Sequence, residues 1–404
     1  QPAVLFLLCV VLGLSSAFRF EAPSTLLYRQ RTNNQTATSH TNVSTLPPTL
    51  GEQSSGLITV DQENSGEMFY WLFRCANESA PMIVWLEGGP GIPGTFQVFY
   101  GMGPYRISHS LEVTLNSETW NNDFHLLFFD NPVGVGYSSI QNSAFLTNES
   151  QVATQLASAM DQFLQLYPEF SSTSLFLFGE SYGGKYVPAL ADYMLQNQQQ
   201  FTWRFSGIGI GDGLVDTPVQ MTTFADFTFN HGISSMKEKA LLENMQEQFQ
   251  NAFNAENYEA ASNLFWSINY YVMYHNVVNF YDVDCSISCG IQTYMWGAYA
   301  KLLEQSQIKE QLNVPIDYVF NSQQPQASSA LNADVCKSIA GVFPGLLSNY
   351  KTLLYQGTLD MICNAAGGEL WLSKVPWDGM DNFQNLNQET WFDGVDLAGE
   401  STQQ

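Results

Sequence analysis

Apolar positions in this chain fall into short, separated runs from residue 56 onward. Leu57–Val60, Met68–Phe73, Met82–Leu86, Leu126–Phe129, Leu175–Phe178, Ile208–Ile210 and Lys351–Tyr355 each carry β-favouring side chains between turn residues and predict strands. Between some of them the apolar period lengthens to that of a helix, at Val152–Leu166 and Tyr186–Gln196. Strand, helix, strand in alternation predicts an α/β fold, with a mixed, mostly parallel sheet flanked by helices. From 214 to 313 the rhythm changes. Strand runs are few, aromatics are many, and Met236–Phe253 and Ala255–His275 read as long helices, so this stretch is expected to be a helical insertion capping the sheet. The organisation expected is a core over 57–213, the cap over 214–313, and a second part of the core over 314–404. After Trp371 the chain turns to Asp, Asn, Gln and Gly and is expected to end without a closing helix or strand.

Residues 18–56, rich in Ser, Thr, Asn, Gln and Pro, read as an exposed arm or propeptide. Before them, Val4 to Leu14 form an apolar run too short to span a bilayer, followed by Ser15, Ser16 and Ala17, so 1–17 is expected to be part of a signal peptide. Sequons at Asn34, Asn42, Asn77 and Asn148 agree with glycosylation on a secretory route, to the exterior or to a lysosome or vacuole. The 404 residues carry 14 Lys+Arg against 38 Asp+Glu, a net charge of −24, which argues against nucleic acid and anionic membrane as partners. Past the signal segment lie Cys75, Cys285, Cys289, Cys336 and Cys363, an odd number; Cys285 and Cys289 could close a local disulfide loop, and a zinc site there lacks further ligands at the usual spacing.

The chemistry concentrates in three segments. Gly179-Glu180-Ser181-Tyr182-Gly183 follows a strand and opens a helix, the setting in which a serine on a sharp turn has its hydroxyl lifted clear of the backbone. The helix start beneath it supplies N–H groups that favour an oxyanion. Val84 to Gly91 (VWLEGGPG) and Leu126 to Ser138 (LLFFDNPVGVGYS) are apolar runs that open into Gly/Pro turns, where a backbone N–H can face a site unobstructed.

Together with GIGIGDGLVDT and LLYQGTLDMICN, these segments resemble, in order, the serine carboxypeptidase family of α/β-hydrolases, and within it the vitellogenic-carboxypeptidase-like branch. The resemblance implies Ser181 as the nucleophile, Asp360 as the acid that orients a histidine, and the N–H groups of Gly89 and Tyr182 as the oxyanion hole. It implies that Glu180, with Glu87 and Gly88 in the first motif, meets the C-terminal carboxylate of a peptide or protein substrate, and that shared protons tie activity to acidic pH. No metal or organic cofactor is implied.

Four departures bear on this. Glu87 stands where the family usually has Asn or Gln, and Gly101 where it has the glutamate that partners Glu180. Either Glu87 compensates, or recognition of a free C-terminus has decayed; repulsion between an ionised Glu87 and a carboxylate favours decay. Gly91-Ile92-Pro93 replaces a segment that usually carries a disulfide cysteine. The histidines are His40, His109, His125, His231 and His275, and none follows Asp360, where the family places its base. His109 and His125 are expected to be surface or loop residues. The missing initiator Met, the unfinished C-terminus and the odd cysteine count point to a fragment of a longer enzyme. The alternatives are an inactive homologue serving as a binding or storage-type glycoprotein, and an acyltransferase using the same serine. Lys185 is expected to be solvated on its helix. Cys363 is implied to lie near the site as a free thiol, with a disulfide equally open. Phe265, Trp266, Tyr270 and Tyr271 are expected mostly to pack in the core, with a pocket for an apolar substrate side chain as the alternative.

Overall fold

The computed structural model describes residues 4–9, 46–49, 51–287, 295–393 and 396–403. Its centre is a ten-stranded sheet. The strands are β1 (Val4–Cys9), β2 (Gln53–Asp61), β3 (Gly66–Phe73), β4 (Met82–Leu86), β5 (His125–Phe129), β6 (Ser174–Glu180), β7 (Arg204–Gly211), β8 (Lys351–Gly357), β9 (Glu389–Asp393) and β10 (Asp396–Gln403). They lie in the order β9-β10-β1-β8-β7-β6-β4-β5-β3-β2. The five central strands, β8-β7-β6-β4-β5, run parallel, while β3 and β2 close one side antiparallel.

Parallel strands are covered on both faces, and β4 shows how the sequence provides for it. Every residue of Met82–Leu86 is buried. Met82, Val84 and Leu86 enter one hydrophobic cluster, Ile83 and Trp85 the other, as the two-residue period of a strand requires. The first cluster packs under α2 (Glu149–Leu166) and α3 (Gly183–Gln196); the second receives Phe96, Val98 and Phe99 of the short α1 (Thr95–Tyr100). The result is a three-layer α/β structure of the kind expected.

Between β7 and β8 the chain builds a helical cap that includes α4 (Met236–Asn254), α5 (Tyr258–His275) and a hairpin over Val278–Ser286. Helix ends follow their capping residues. Asn148 accepts from the Gln151 N–H and starts α2 three residues before the apolar period begins. Ser235 and Glu238 form a reciprocal capping box on α4. Glu256 adopts φ 56°, which breaks the helical run, and Asn257 then caps α5.

Several expectations need correction. The C-terminal stretch does contain regular structure. Met380–Gln384 is helical, and β9 and β10 pair antiparallel at the edge of the sheet. Edge strands carry polar residues, so their pattern lacks the apolar signal of a central strand. Strand β2 also begins earlier than expected, at Gln53, and Leu46 is buried, so the end of the expected arm belongs to the core; the remainder of that arm, with Asn34, Asn42 and His40, lies outside the described residues. The apolar run Val4–Cys9 pairs antiparallel with β8 and parallel with β10. Among the described residues no helix is long and apolar enough to cross a membrane.

Candidate active site

Three neighbouring parallel strands, β6, β7 and β8, end on the same edge of the sheet, the edge at which open α/β sheets place their sites. Ser181 follows β6, Asp212 follows β7, and Asp360 lies three residues past β8. Ser181 has φ 57° and Asp212 φ 44°, a left-handed conformation that is uncommon for residues with a side chain. Backbone bonds hold the serine there: its N–H donates to the Gly211 carbonyl at 3.1 Å, and its carbonyl accepts from the N–H groups of Gly184 (2.9 Å) and Leu214 (2.8 Å).

The glycines around the turn are required by contact. A Cβ on Gly88 would lie 2.7 Å from the Glu180 carbonyl oxygen and 2.8 Å from the Tyr182 nitrogen, and one on Gly183 would lie 2.5 Å from the Leu86 carbonyl oxygen. The Gly88–Gly89 turn therefore abuts the start of α3. Among the described residues the backbone N–H groups of Gly89 and Tyr182 have no hydrogen-bond acceptor, so two donors point away from other described backbone beside the serine. Gly89 carries φ 117°.

Asp360 is buried, and its Oδ1 accepts from the N–H groups of Ile362 (2.8 Å) and Cys363 (3.3 Å). Burial and the Asp212 charge hold its carboxyl well above the ordinary carboxylate range. Asp212 accepts from the Gly357 N–H at 2.6 Å, and burial raises its carboxyl to about 6. Its position between Ser181 and Asp360 was not singled out in the sequence; the signal available was its place in the GIGIGDGLVDT segment, at the end of a strand.

The carboxyl groups of Glu87 and Glu180 meet across Gln97. Glu87 is buried and accepts from Trp85 Nε1 (2.9 Å) and the Gly88 N–H (3.2 Å), with a further bond to the Gln97 side chain; burial still pushes its pKa up. Gln97 Nε2 also approaches Glu180 Oε2 at 3.4 Å. Burial first, then the charges of Glu87 and Asp212, raise Glu180 well above its ordinary value. Gln97 is a residue sequence reading missed. A Cβ on Gly101 would lie 1.4 Å from Gln97 Oε1, so the space that a side chain at 101 would need is filled by the Gln97 amide. An unremarkable glutamine on a short helix gives no signal of this in the sequence.

Lys185 and His125 differ from expectation. Lys185 is buried, not solvated: it faces inward from α3, donates to the Lys337 carbonyl, and lies among Asp334, Glu149 and Tyr182. His125 is a buried strand residue rather than a surface or loop one; its Nδ1 accepts from the Cys75 N–H at 3.0 Å and its ring meets Phe170. His231 bonds to the Phe227 carbonyl, His275 pairs with Glu238, and His109 is exposed. None of these four bonds to Ser181 or Asp360 through the contacts just given. Cys75, Cys336 and Cys363 are free, buried thiols, and Cys363 adjoins Asp360; Cys289 lies outside the described residues. Asn77 is exposed, and Asn148 uses its side-chain oxygen to cap α2.

Residues 45–404 match the family model described as serine carboxypeptidase. The chain belongs to the serine carboxypeptidase family. It is 31% identical over 359 residues to a probable serine carboxypeptidase CPVL of Dictyostelium discoideum, covering 85% of this chain and 71% of that protein. It is 32% identical over 369 residues to serine carboxypeptidase S10 family member 1 of the same organism, covering 89% and 88%. The crystal structure of Kex1(delta)p, a prohormone-processing carboxypeptidase from Saccharomyces cerevisiae, superimposes with a TM-score of 0.76 at 21% identity, covering 87% of this chain and 86% of that one. These relatives agree with the family and branch suggested by the motifs, and the structural match with the α/β-hydrolase fold.

Proposed function

We propose that this serine carboxypeptidase family member releases C-terminal residues from peptides through an acyl-enzyme on Ser181, at acidic pH. The observation that carries the reading is the pair of buried acids, Glu87 and Glu180, bridged by one amide, Gln97, next to a strained serine. A substrate's terminal carboxylate would accept from the Gln97 amide and from whichever acid holds a proton. Glu87 thus compensates for the glutamate absent at 101. Ser181 Oγ attacks the last peptide carbonyl carbon, and the carbonyl oxygen becomes an oxyanion held by the Gly89 and Tyr182 N–H groups. The C–N bond then breaks, the amine leaves with a proton, and water releases the acyl group from the serine ester. Asp360 would orient the base that moves these protons, and an imidazolium beside it would return its raised pKa towards the ionised state.

The second reading is a non-catalytic peptide-binding homologue. The engagement of His125, His231 and His275 away from the site favours it. Secretory routing and glycosylation at the exposed Asn77 fit either reading. The test is the protein expressed from its complete transcript. It is expected to free single C-terminal residues from a peptide acid at pH 4–5, to spare the matching peptide amide, and to lose activity in Ser181→Ala. Carboxylate-dependent binding without any turnover would establish the second reading instead.

A further inference from the structure

The outward face of α5 is aromatic where a cap helix would ordinarily be polar. Phe265, Ile268 and Val272 face the core, while Trp266, Tyr270 and Tyr274, four residues apart, share the other side. Trp266 and Tyr270 stack at 5.9 Å, and Tyr270 and Tyr274 lie 6.1 Å apart. Tyr270 is 43% exposed and Tyr274 66%. The hairpin that follows continues the row: Phe280 lies 6.5 Å from Tyr270, and Tyr281, 47% exposed, meets Phe280 at 4.5 Å.

This row ends at the candidate active site. The Phe280 carbonyl accepts from the N–H groups of Met361 (2.8 Å) and Ile362 (3.3 Å), and the Val283 N–H donates to the Leu359 carbonyl at 3.1 Å. The hairpin is therefore bonded directly to the loop that carries Asp360.

We propose that the exposed tyrosines Tyr281, Tyr270 and Tyr274, joined through the buried Phe280 ring beneath them, form a docking surface for the substrate's polypeptide chain on the N-terminal side of the scissile bond. The inference rests on the carboxypeptidase reading and extends it to the substrate class: polypeptides rather than dipeptides. A chain held by its terminal carboxylate must leave the Ser181 cleft along some surface, and this strip begins there. The three ring-to-ring steps match about five residues of extended chain at about 3.3 Å each. Flat phenol faces accept apolar, aromatic or prolyl side chains with little demand on sequence. Asp282 and Asp284 on the same hairpin, in a chain of net charge −24, disfavour acidic segments.

The test uses the protein from its complete transcript with Ser181→Ala, titrated with peptides of two to six residues that share one C-terminal dipeptide, each as acid and as amide. Affinity is expected to rise about tenfold with length. The rise should vanish in Tyr270→Ser/Tyr274→Ser, whose affinity for the dipeptide should equal the parent's. No rise with length, or a rise that survives the double substitution, overturns the proposal. So does a change from dimer to monomer in the double variant by sedimentation, which would assign the strip to self-association. Equal binding of acids and amides counts against the carboxylate clamp alone, because the length effect is read separately.

Discussion

Replacing Glu87 by Gln isolates the acid pair. The Glu87 and Glu180 carboxyls both reach the amide of Gln97; at an effective dielectric of about 20, two negative charges within a few ångströms of one another repel by a few kcal/mol. That repulsion moves loss of the second proton to higher pH. Above that pH the native pair carries two negative charges facing the substrate carboxylate. Glu87→Gln can never carry more than one, because Glu180 alone ionises, and its amide donates at every pH. The glutamine also retains an acceptor for Trp85 Nε1, so the local packing is kept. With a free-acid peptide assayed from pH 4 to 8, the variant is expected to hold kcat/KM into the neutral range, about 100-fold above the parent at pH 7–8. A profile superimposable on the parent's would refute the shared-proton account of Glu87.

Gln97→Leu removes the amide between the two acids while keeping its volume; the loss of a hydrogen bond to a charged group predicts a 10- to 100-fold rise in KM for peptide acids, with kcat little changed. Gly88→Ala drives a methyl group into the Glu180 carbonyl and the Tyr182 nitrogen, and should abolish both turnover and labelling of Ser181 by a fluorophosphonate, while circular dichroism reports on the fold. Asp130 is fully buried and accepts from the Thr95 and Tyr137 N–H groups, and burial raises its carboxyl to about 7. An acid raised on folding holds its proton more tightly in the native state, so its stabilisation is complete below about pH 4 and falls away as pH rises to about 7, by about 4 kcal/mol. In urea titrations at pH 4 and pH 7, Asp130→Asn should flatten this difference; an unchanged slope would count against it. Asp334→Asn takes a carboxylate from beside the buried Lys185 and is expected to cost about 3–5 kcal/mol, seen as a lower urea midpoint.

The central strands were legible because both faces of a parallel sheet are buried, which makes β4 or β5 a continuous apolar run. Ser181 was legible because a strand, a glycine frame and a helix must coincide to make its turn. Three features were not, each for a physical reason. Gln97 acts by occupying the volume next to Gly101, a relation between residues that only folding brings about. Lys185 looks like a surface lysine until Asp334 and Glu149, far away in sequence, are packed against it. The closing strands β9, at the sheet edge, and β10, next to it, lack a continuous apolar run, so their pattern resembles a loop.

The hydrogen bonds from Met361 and Ile362 to the Phe280 carbonyl, with that from Val283 to Leu359, stitch the cap to the acid-bearing loop. The cap is thus not a module that can be exchanged at its two chain junctions. A chimaera that imports another family member's cap would have to import residues 359–363 with it, or lose the seam that fixes Asp360. On the proposed reading, changes in substrate preference written into the hairpin would then be felt at Asp360 as well, so that specificity and turnover would be inherited together.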